Sequence, residues 1–569
     1  MPRSVFPDEV LEHVLVFLTS HKDRNSVSLV CKAWYKAEGW SRREVFIGNC
    51  YAASPSNLIK RFPKLTSLQM KGRPRFTDFG MVPANWGAFI LPWIEAMADH
   101  YPGLEELRLK RMTVTDKDLR IVTEAFPNFR SLRLTSCDGF STDGIAEIAR
   151  NCRNLAVLDL HENDMYVRNG DWLTAFPETH SSLECLNFAT VKYKINENDF
   201  RSLEALVAGS PNLKRLKLNR EISLDQLRKL LLRAPQLEEL GTGVYNQNLS
   251  WNKLHELQSS LVRQKNLRSL SGFWDVAQNC IPTMYPVCLE LTSLDFSNVV
   301  LSTQDFSKFI TYCVKLQRLL VQDYIGDQGL QAAAAVCKDL TELRVYPVTD
   351  DGLCTEKGLI AISEGCPNLR KILYFCKQMT NAAMTRFAKN CSKMTHFRIC
   401  ILRVYEDCDT REPLDKGFGA ICKLCKDLRR LSLSGLLTDR CFEYIGEYAK
   451  KLELLSVAFS GETDLGMQYV LEGCPVLRKL EVRDCPFGDE ALLTGIDKYE
   501  SMRALWMSSC KVTRDGCQFL AQKNPSLNVE VIADNEKSSL YSNYTVEKLY
   551  VYRTIAGHRT DAPPFVDML

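Results

Sequence analysis

A phrase of apolar and polar positions, L-x-x-L-x-Φ with Φ apolar, recurs eighteen times along the chain. Its first apolar position falls at Leu65, Leu104, Phe129, Leu155, Leu183, Leu213, Leu237, Leu267, Leu291, Leu316, Leu340, Leu369, Met394, Leu428, Leu452, Leu477, Met502 and, more weakly, Leu527. The copies are 24 to 39 residues apart, most of them 24 to 30. Repetition at this spacing with this core marks the leucine-rich repeat. Each copy predicts a short strand and then a helix, as in Leu428–Leu433 followed by Asp439–Tyr448. One such unit cannot bury its own apolar face, but a stack of them builds a continuous core. The expected fold is α/β: a leucine-rich-repeat solenoid, a horseshoe of about 18 repeats.

The first forty residues break this pattern. Pro7 suits the first position of a helix, and Val10, Val14 and Phe17 follow at helical spacing beside Leu11 and Leu18. Asp23 is placed to cap a second helix, whose apolar face is Val27, Val30, Cys31 and Trp34. So small a unit has little core of its own. It reads either as a cap for the solenoid or as a module that docks its apolar face on a partner. The expected division is residues 1–48 for this module, 49–540 for the solenoid and 541–569 for a C-terminal cap.

Composition narrows the function. The 569 residues carry 72 basic and 69 acidic side chains, a net charge of +3, so general nucleic-acid binding is not expected. The N-terminus MPRSVFPDEV lacks a signal-peptide core. No apolar run approaches the roughly 18–20 residues of a membrane span. Eight of the 22 cysteines (Cys152, Cys288, Cys313, Cys337, Cys366, Cys391, Cys425 and Cys474) stand three residues before the first apolar position of a copy. A thiol at a fixed repeat position is a small buried packing group. The C-x-x-C pair Cys422/Cys425 has no second pair, so no metal site is expected. No catalytic motif is present either, so no catalytic residue is assigned.

The residues that alternate with the strand leucines face the inner surface of the solenoid. They include Glu106, Arg108, Lys110, Arg133, Arg215, Lys217, Arg344, Lys371, His396, Arg398, Arg430, Lys479, Glu481 and Arg483, with few acids. A basic inner face that concentrates anions is therefore expected. FRICI and SLSGLLTD lie in adjacent copies, which brings Arg398, Ser432 and Ser434 to one space. Arg398 suits a small carboxylate, and Ser432 adds a hydrogen bond. Phe76, Phe79, Leu373, Phe375, Leu433, Val457, Ala458 and Phe459 supply apolar walls. A flat aromatic acid fits such a pocket.

VFPDEVLEHVLVFLTSHKDRNSVSLVCKAWYK resembles an F-box. An F-box followed by cysteine-type repeats resembles the substrate receptors of cullin–RING ubiquitin ligases. The strings RREVFIGNCYA, LEELRLKRM, LSGFWD, LYFCKQMTNAA, FRICI, RRLSLSGLLTD, LLSVAFSGETDLGM, RDCPFGD and YRTIAGHRTDAPPFV resemble the plant auxin-receptor F-box family, the transport inhibitor response and auxin signalling F-box proteins. The likeness runs from about residue 6 to 566.

The resemblance implies a non-catalytic SCF substrate receptor. Its F-box would bind a Skp-type adaptor, and through it a cullin, by Phe6, Pro7, Val10, Leu11, Val14, Val27, Leu29, Val30 and Trp34. Auxin, indole-3-acetic acid, would sit on Arg398 and Ser432 and complete the surface that binds an Aux/IAA repressor degron. A structural inositol hexakisphosphate would contact Lys71, Lys110, Arg111, Arg344, Arg398, Arg430, Arg478, Lys479 and Arg503. The implied location is the nucleus, with the cytoplasm as well. Three departures from the family pattern stand out: Arg75 replaces a usual histidine, His396 replaces a usual arginine, and the segment Val345–Glu356 is short and lacks the aromatic that usually closes one pocket wall. A receptor for another acidic hormone of the jasmonate type, and an F-box adaptor with no small ligand, stay open. A thioester-forming ligase is disfavoured by the repeat-phase cysteines.

Overall fold

Neighbouring copies of the phrase pair in parallel without slipping register. Leu343, Ile372, Phe397, Leu431, Leu455, Leu480, Leu505 and Val529 form one row across adjacent strands. Each is at most 3% exposed. Parallel strands need a crossover connection, and the helix of each repeat supplies it. The computed structural model describes residues 8–74, 86–168, 171–178, 180–246, 250–350, 352–402, 407, 409–533, 549–553 and 566–568. All eighteen copies carry a strand, which begins two residues after the first apolar position (one after Leu527). The α/β leucine-rich-repeat architecture expected from the period is the one observed.

The chain groups into two compact units that meet between Glu221 and Ile222 in sequence. The first opens with helices α1 (Asp8–Val16), α2 (His21–Val27) and α3 (Lys32–Ser41). Its parallel sheet then runs Glu44–Ile47, Ser67–Lys71, Glu106–Lys110, Ser131–Thr135, Val157–His161, Cys185–Asn187 and Arg215–Lys217. Glu44–Ile47 belongs to no copy of the phrase; it is the edge strand that pairs with the first copy. The second unit runs in parallel from Glu239–Gly241 to Asn528–Ala533. Leu549–Arg553 closes on Asn528–Ala533 antiparallel.

The module before the repeats differs from its expectation in one respect. The apolar positions expected on one helix are split: Val27 ends α2, Trp34 is in α3, and Val30 and Cys31 lie in the tight turn between them. The N–H groups of Leu29 and Val30 donate to the carbonyls of Ser26 and Val27, an i→i+3 pattern that ends a helix. The cap is also Ser20, whose hydroxyl accepts from the Asp23 N–H, and not Asp23. Leu11, Leu15 and Ala37 form the core, with Leu18, Val27 and Trp34 packed on it.

The periodic cysteines cap helices. Cys337, Cys366, Cys391 and Cys425 each end their helix. Each thiol points at the carbonyl of the cysteine one repeat earlier: Cys366 to Cys337 at 3.2 Å, Cys391 to Cys366 at 3.7 Å and Cys425 to Cys391 at 3.7 Å. The position needs a small apolar side chain that is also a weak donor, and cysteine is both.

A second ladder ties helix N-termini together. Asp116, Asp327, Asp415, Asp439 and Asp489 each accept the hydroxyl of a Ser or Thr in the next repeat, as Asp415 does from Thr438 at 2.6 Å. Asp323 plays a related part inside the chain turn after Glu342–Tyr346. It is 0% exposed, and its two carboxylate oxygens accept the N–H groups of Val348 and Leu353, both at 2.9 Å. This ties the short segment Val345–Glu356 back to the preceding repeat. Asp323→Ala is expected to cost roughly 3 kcal/mol, since hydrogen bonds to a charged group are each worth about 1.5–3 kcal/mol. The checks are a lower urea midpoint and faster proteolysis between Pro347 and Thr355.

Candidate functional site

The strands Glu342–Tyr346, Lys371–Cys376, His396–Ile401, Arg430–Ser432 and Leu454–Ala458 alternate buried and accessible residues, and Lys479–Arg483 keeps the same phase with Glu481 buried. Register lines the inner-face positions into rows. One row reads Glu342, Lys371, His396, Arg430, Leu454, Lys479. The next reads Arg344, Leu373, Arg398, Ser432, Ser456, Glu481. Neighbouring strands lie about 4.8 Å apart, so residues next to each other in a row are within reach of one small ligand.

Arg398 therefore has Leu373 on one side and Ser432 on the other. No carboxylate pairs with Arg398 among the described residues, and its Nε is buried without a hydrogen-bond partner. The Ser434 hydroxyl is occupied, accepting the Ile401 N–H at 3.0 Å. Phe375 and Cys400 sit beside each other in a third row. Phe459 borders this face with φ +54, a conformation an aromatic residue seldom adopts. Its ring is 56% exposed, with the Arg483 guanidinium 5.9 Å from its centroid. Ala458 is partly exposed, whereas Leu433 and Val457 are only 4% and 2% exposed and point into the core. Arg75, Phe76 and Phe79 lie outside the described residues, as do Phe6 and Pro7.

The expectation of few acids on the inner face is corrected. Glu342 holds Arg344 at 2.6 Å, Arg318 at 3.6 Å and Lys371 at 3.9 Å. Lys479 pairs at 2.7 Å with Glu481, itself 2% exposed. In the first unit Arg133 pairs with Asp159 at 3.1 Å. The face is thus partly self-neutralised, and the charges left uncompensated are local. The signal was present in the sequence as acids two residues from a base on one strand: Glu106/Arg108, Glu342/Arg344 and Lys479/Glu481. Period-two alternation places such pairs on the same face.

The expected polyphosphate contacts fall in three places. Lys71 and Lys110 are register partners in the first unit, with Arg111 next to them donating from Nε to the Arg73 carbonyl at 2.9 Å. Arg344, Arg398, Arg430 and Lys479 lie in the two rows of the second unit. Arg478 and Arg503 are exposed in the turns just before their strands, Arg503 donating to the carbonyls of Glu500 and Met502. His396 stands between Lys371 and Arg430. Its imidazole is pushed down to about 4, first by burial and then by the charges of Arg430 and Lys371, against smaller pulls from Glu342 and Glu453.

Of the candidate docking residues, Val10, Val14, Leu29 and Val30 stand 46%, 56%, 85% and 61% exposed. Leu11 is 5% exposed and holds the three-helix core, with Val27 and Trp34 packed on it. The pattern did not reveal what anchors α3. Glu38, 1% exposed, is gripped by Arg24 at 3.2 Å, Arg42 at 2.5 Å and Arg61 at 2.8 Å.

The buried thiols are poor nucleophiles. Burial pushes Cys366 up to about 11 and Cys391, Cys425 and Cys474 up to about 12, and it is the thiolate that reacts. Among the described residues, no group of three or more His, Cys, Asp or Glu is placed to hold a metal ion. No described helix is long and apolar enough to cross a membrane.

Residues 63–109 match the family model described as the Transport inhibitor response 1 protein domain, and residues 3–44 match the F-box. Over 99% of this chain and 96% of its own length, GRR1-like protein 1 of Arabidopsis thaliana is 50% identical. A transport inhibitor response 1-like protein of Oryza sativa subsp. japonica is also 50% identical, over 99% of both chains. Coronatine-insensitive protein 1 of Arabidopsis thaliana is 31% identical over 99% of this chain and 96% of its own.

Proposed function

The chain belongs to the transport inhibitor response 1-like F-box family of substrate receptors, and from that premise we propose that it is an auxin co-receptor and the substrate-recognition subunit of an SCF-type ubiquitin ligase. One observation carries the reading. Arg398 and Ser432 are adjacent on neighbouring strands, the guanidinium without an acid among the described residues and its Nε buried without a hydrogen-bond partner among them. A cation with no described acid partner beside a hydroxyl, with Leu373 and Phe375 next to it, suits a carboxylate on an apolar ring. Indole-3-acetic acid has that form. The bound hormone then extends the surface on which an Aux/IAA degron docks, and ubiquitin is transferred by other subunits of the ligase.

Arg344, Arg398, Arg430 and Lys479 with Lys371 would hold inositol hexakisphosphate under this pocket. The fit is best at Arg398 and Arg430, which have no carboxylate partner among the described residues. The polyanion would supply negative charge that lets these cations sit side by side. The proposed location is the nucleus, with the cytoplasm as well, since that is where such a receptor would meet repressors of transcription.

The test is capture of a synthetic Aux/IAA degron peptide by the full chain, with and without indole-3-acetic acid, a panel of synthetic auxins and a jasmonate. Capture that depends on an auxin supports the reading. Capture that depends on the jasmonate, or that needs no ligand, overturns it.

A Skp-type adaptor and a cullin are the proposed partners of α1 to α3. The exposed apolar side chains Leu29 and Val30, between α2 and α3, are the contacts that can be changed without touching the core. Leu29→Asp with Val30→Asp is expected to reduce adaptor binding by at least a hundredfold, because a buried interface charge without a partner costs several kcal/mol. Degron capture should be unchanged, since Leu29 and Val30 are exposed between α2 and α3 and belong to no copy of the repeat.

A further inference from the structure

His396 sits in the middle of an accessible row, between Lys371 on one neighbouring strand and Arg430 on the other. The acids near it are engaged elsewhere. Glu342, two strands away, is shared by Arg344, Arg318 and Lys371. Glu453, in the turn beyond Arg430, pairs with Arg429 at 2.6 Å. On its own strand the next accessible residue is Arg398, which has no acid partner among the described residues. His396 therefore faces a field that is positive on both sides.

The Thr395 hydroxyl links the ring to the backbone of the preceding repeat. His396 Nδ1 lies 2.9 Å from the Thr395 hydroxyl. That hydroxyl donates its single proton to the Arg370 carbonyl at 3.0 Å. With the hydroxyl on that carbonyl, Nδ1 carries the ring proton and donates to Thr395 Oγ1, and Nε2 is a bare acceptor in the neutral ring. A bare acceptor repels an anion; a protonated Nε2 donates to one.

We infer that His396 is a proton-coupled ligand of the anion proposed for this row, so that binding a polyanion across Lys371, His396 and Arg430 draws one proton onto the imidazole. The inference rests on the polyanion reading given above. It follows from charge balance. In the free protein Lys371 and Arg430 oppose protonation. A bound polyanion offsets both and adds an opposite charge in contact with the ring, which favours the imidazolium. An arginine at this position would bind without regard to pH.

The sign is set by linkage. A ring neutral in the free protein and charged in the complex takes up a proton on binding, so affinity rises as pH falls. The imidazole, held at about 4 in the free protein, gives a window that opens below the neutral range and closes near that value.

The probe is inositol hexakissulfate, whose own charge is constant across this range, measured by calorimetry on the full chain between pH 8 and pH 5.5. The wild type is expected to bind on the order of tenfold more tightly at pH 5.5 than at pH 8, which corresponds to the bound anion raising the imidazole from about 4 back to its ordinary value of about 6.5. In buffers of different ionisation heat it should show uptake of up to one proton. His396→Arg should bind tightly with little pH dependence. His396→Gln should bind weakly with little pH dependence. If His396→Gln retains the wild-type slope, the proton goes elsewhere and the assignment to His396 is overturned. If neither the wild type nor His396→Arg binds the probe at any pH, the polyanion reading itself falls, and this inference with it.

Discussion

Arg398→Ala is expected to abolish auxin-dependent capture of an Aux/IAA degron while leaving the repeats as stable as in the wild type. The two halves of this expectation have different physical sources. A carboxylate in a partly buried pocket depends on a charge-assisted partner, and removing that partner costs about 2–5 kcal/mol. At about 1.4 kcal/mol per tenfold, that is between roughly thirtyfold and several thousandfold in ligand affinity. No described carboxylate would be left unpaired by the change, and one cation would leave a face whose neighbouring row already holds Arg430 next to His396. A surface substitution of that kind changes stability within about 0.5 kcal/mol. Ser432→Ala, which removes one neutral hydrogen bond, should cost about 1 kcal/mol. The measurement is degron pull-down against ligand concentration, with a thermal unfolding curve for each variant. Auxin-dependent capture by Arg398→Ala at wild-type ligand concentrations would show that the carboxylate sits elsewhere.

The second large effect is expected at Glu38, far in sequence from any repeat strand of the pocket. Glu38→Ala removes the one carboxylate shared by Arg24, Arg42 and Arg61, whose side chains are 9%, 9% and 17% exposed. Breaking a buried ion pair from one side costs about 3–5 kcal/mol, because the remaining charge is left uncompensated. The module can ill absorb that loss, since its helices span nine, seven and ten residues around a core of Leu11, Leu15 and Ala37. Helices this short draw their stability from packing and not from propensity. Hydrogen exchange should therefore accelerate across residues 10–42, adaptor binding should fall, and residues 104–160 should exchange as before. Glu38→Gln, which keeps an acceptor but not the charge, should lie between. Wild-type exchange in α2 and α3 of Glu38→Ala would show that the clamp is not what holds them.

These two sites differ in how far the amino-acid sequence exposes them. The neighbourhood of Arg398 and Ser432 was legible, since both lie at the same phase of adjacent copies and a parallel sheet keeps that phase in register. The Glu38 clamp was not, because its arginines are 14, 4 and 23 residues away and obey no period. The same contrast appears within α1. Helical spacing marked Val10, Val14 and Phe17 as well as Leu11 and Leu18, but it did not say which stripe faces inward. Packing against Ala37 selected Leu11 and Leu15 and left Val14 and Phe17 exposed at 56% and 80%. The corrected charge of the inner face is an intermediate case. The acid–base pairs at i and i+2 were in the sequence, but that Glu342 serves three cations on three strands required the sheet.

The sequence by itself determined the repeat: eighteen strands, their phase, the face that each residue presents and the cysteine that ends so many helices. These are local or periodic properties, fixed by alternation along a strand and by a spacing that every copy repeats. The tertiary structure alone decided which charges are neutralised, where α2 ends and α3 begins, and how Asp323 pins the segment after Tyr346. Such contacts join residues whose separation in the chain follows no period, and only the packed fold brings them within hydrogen-bonding distance.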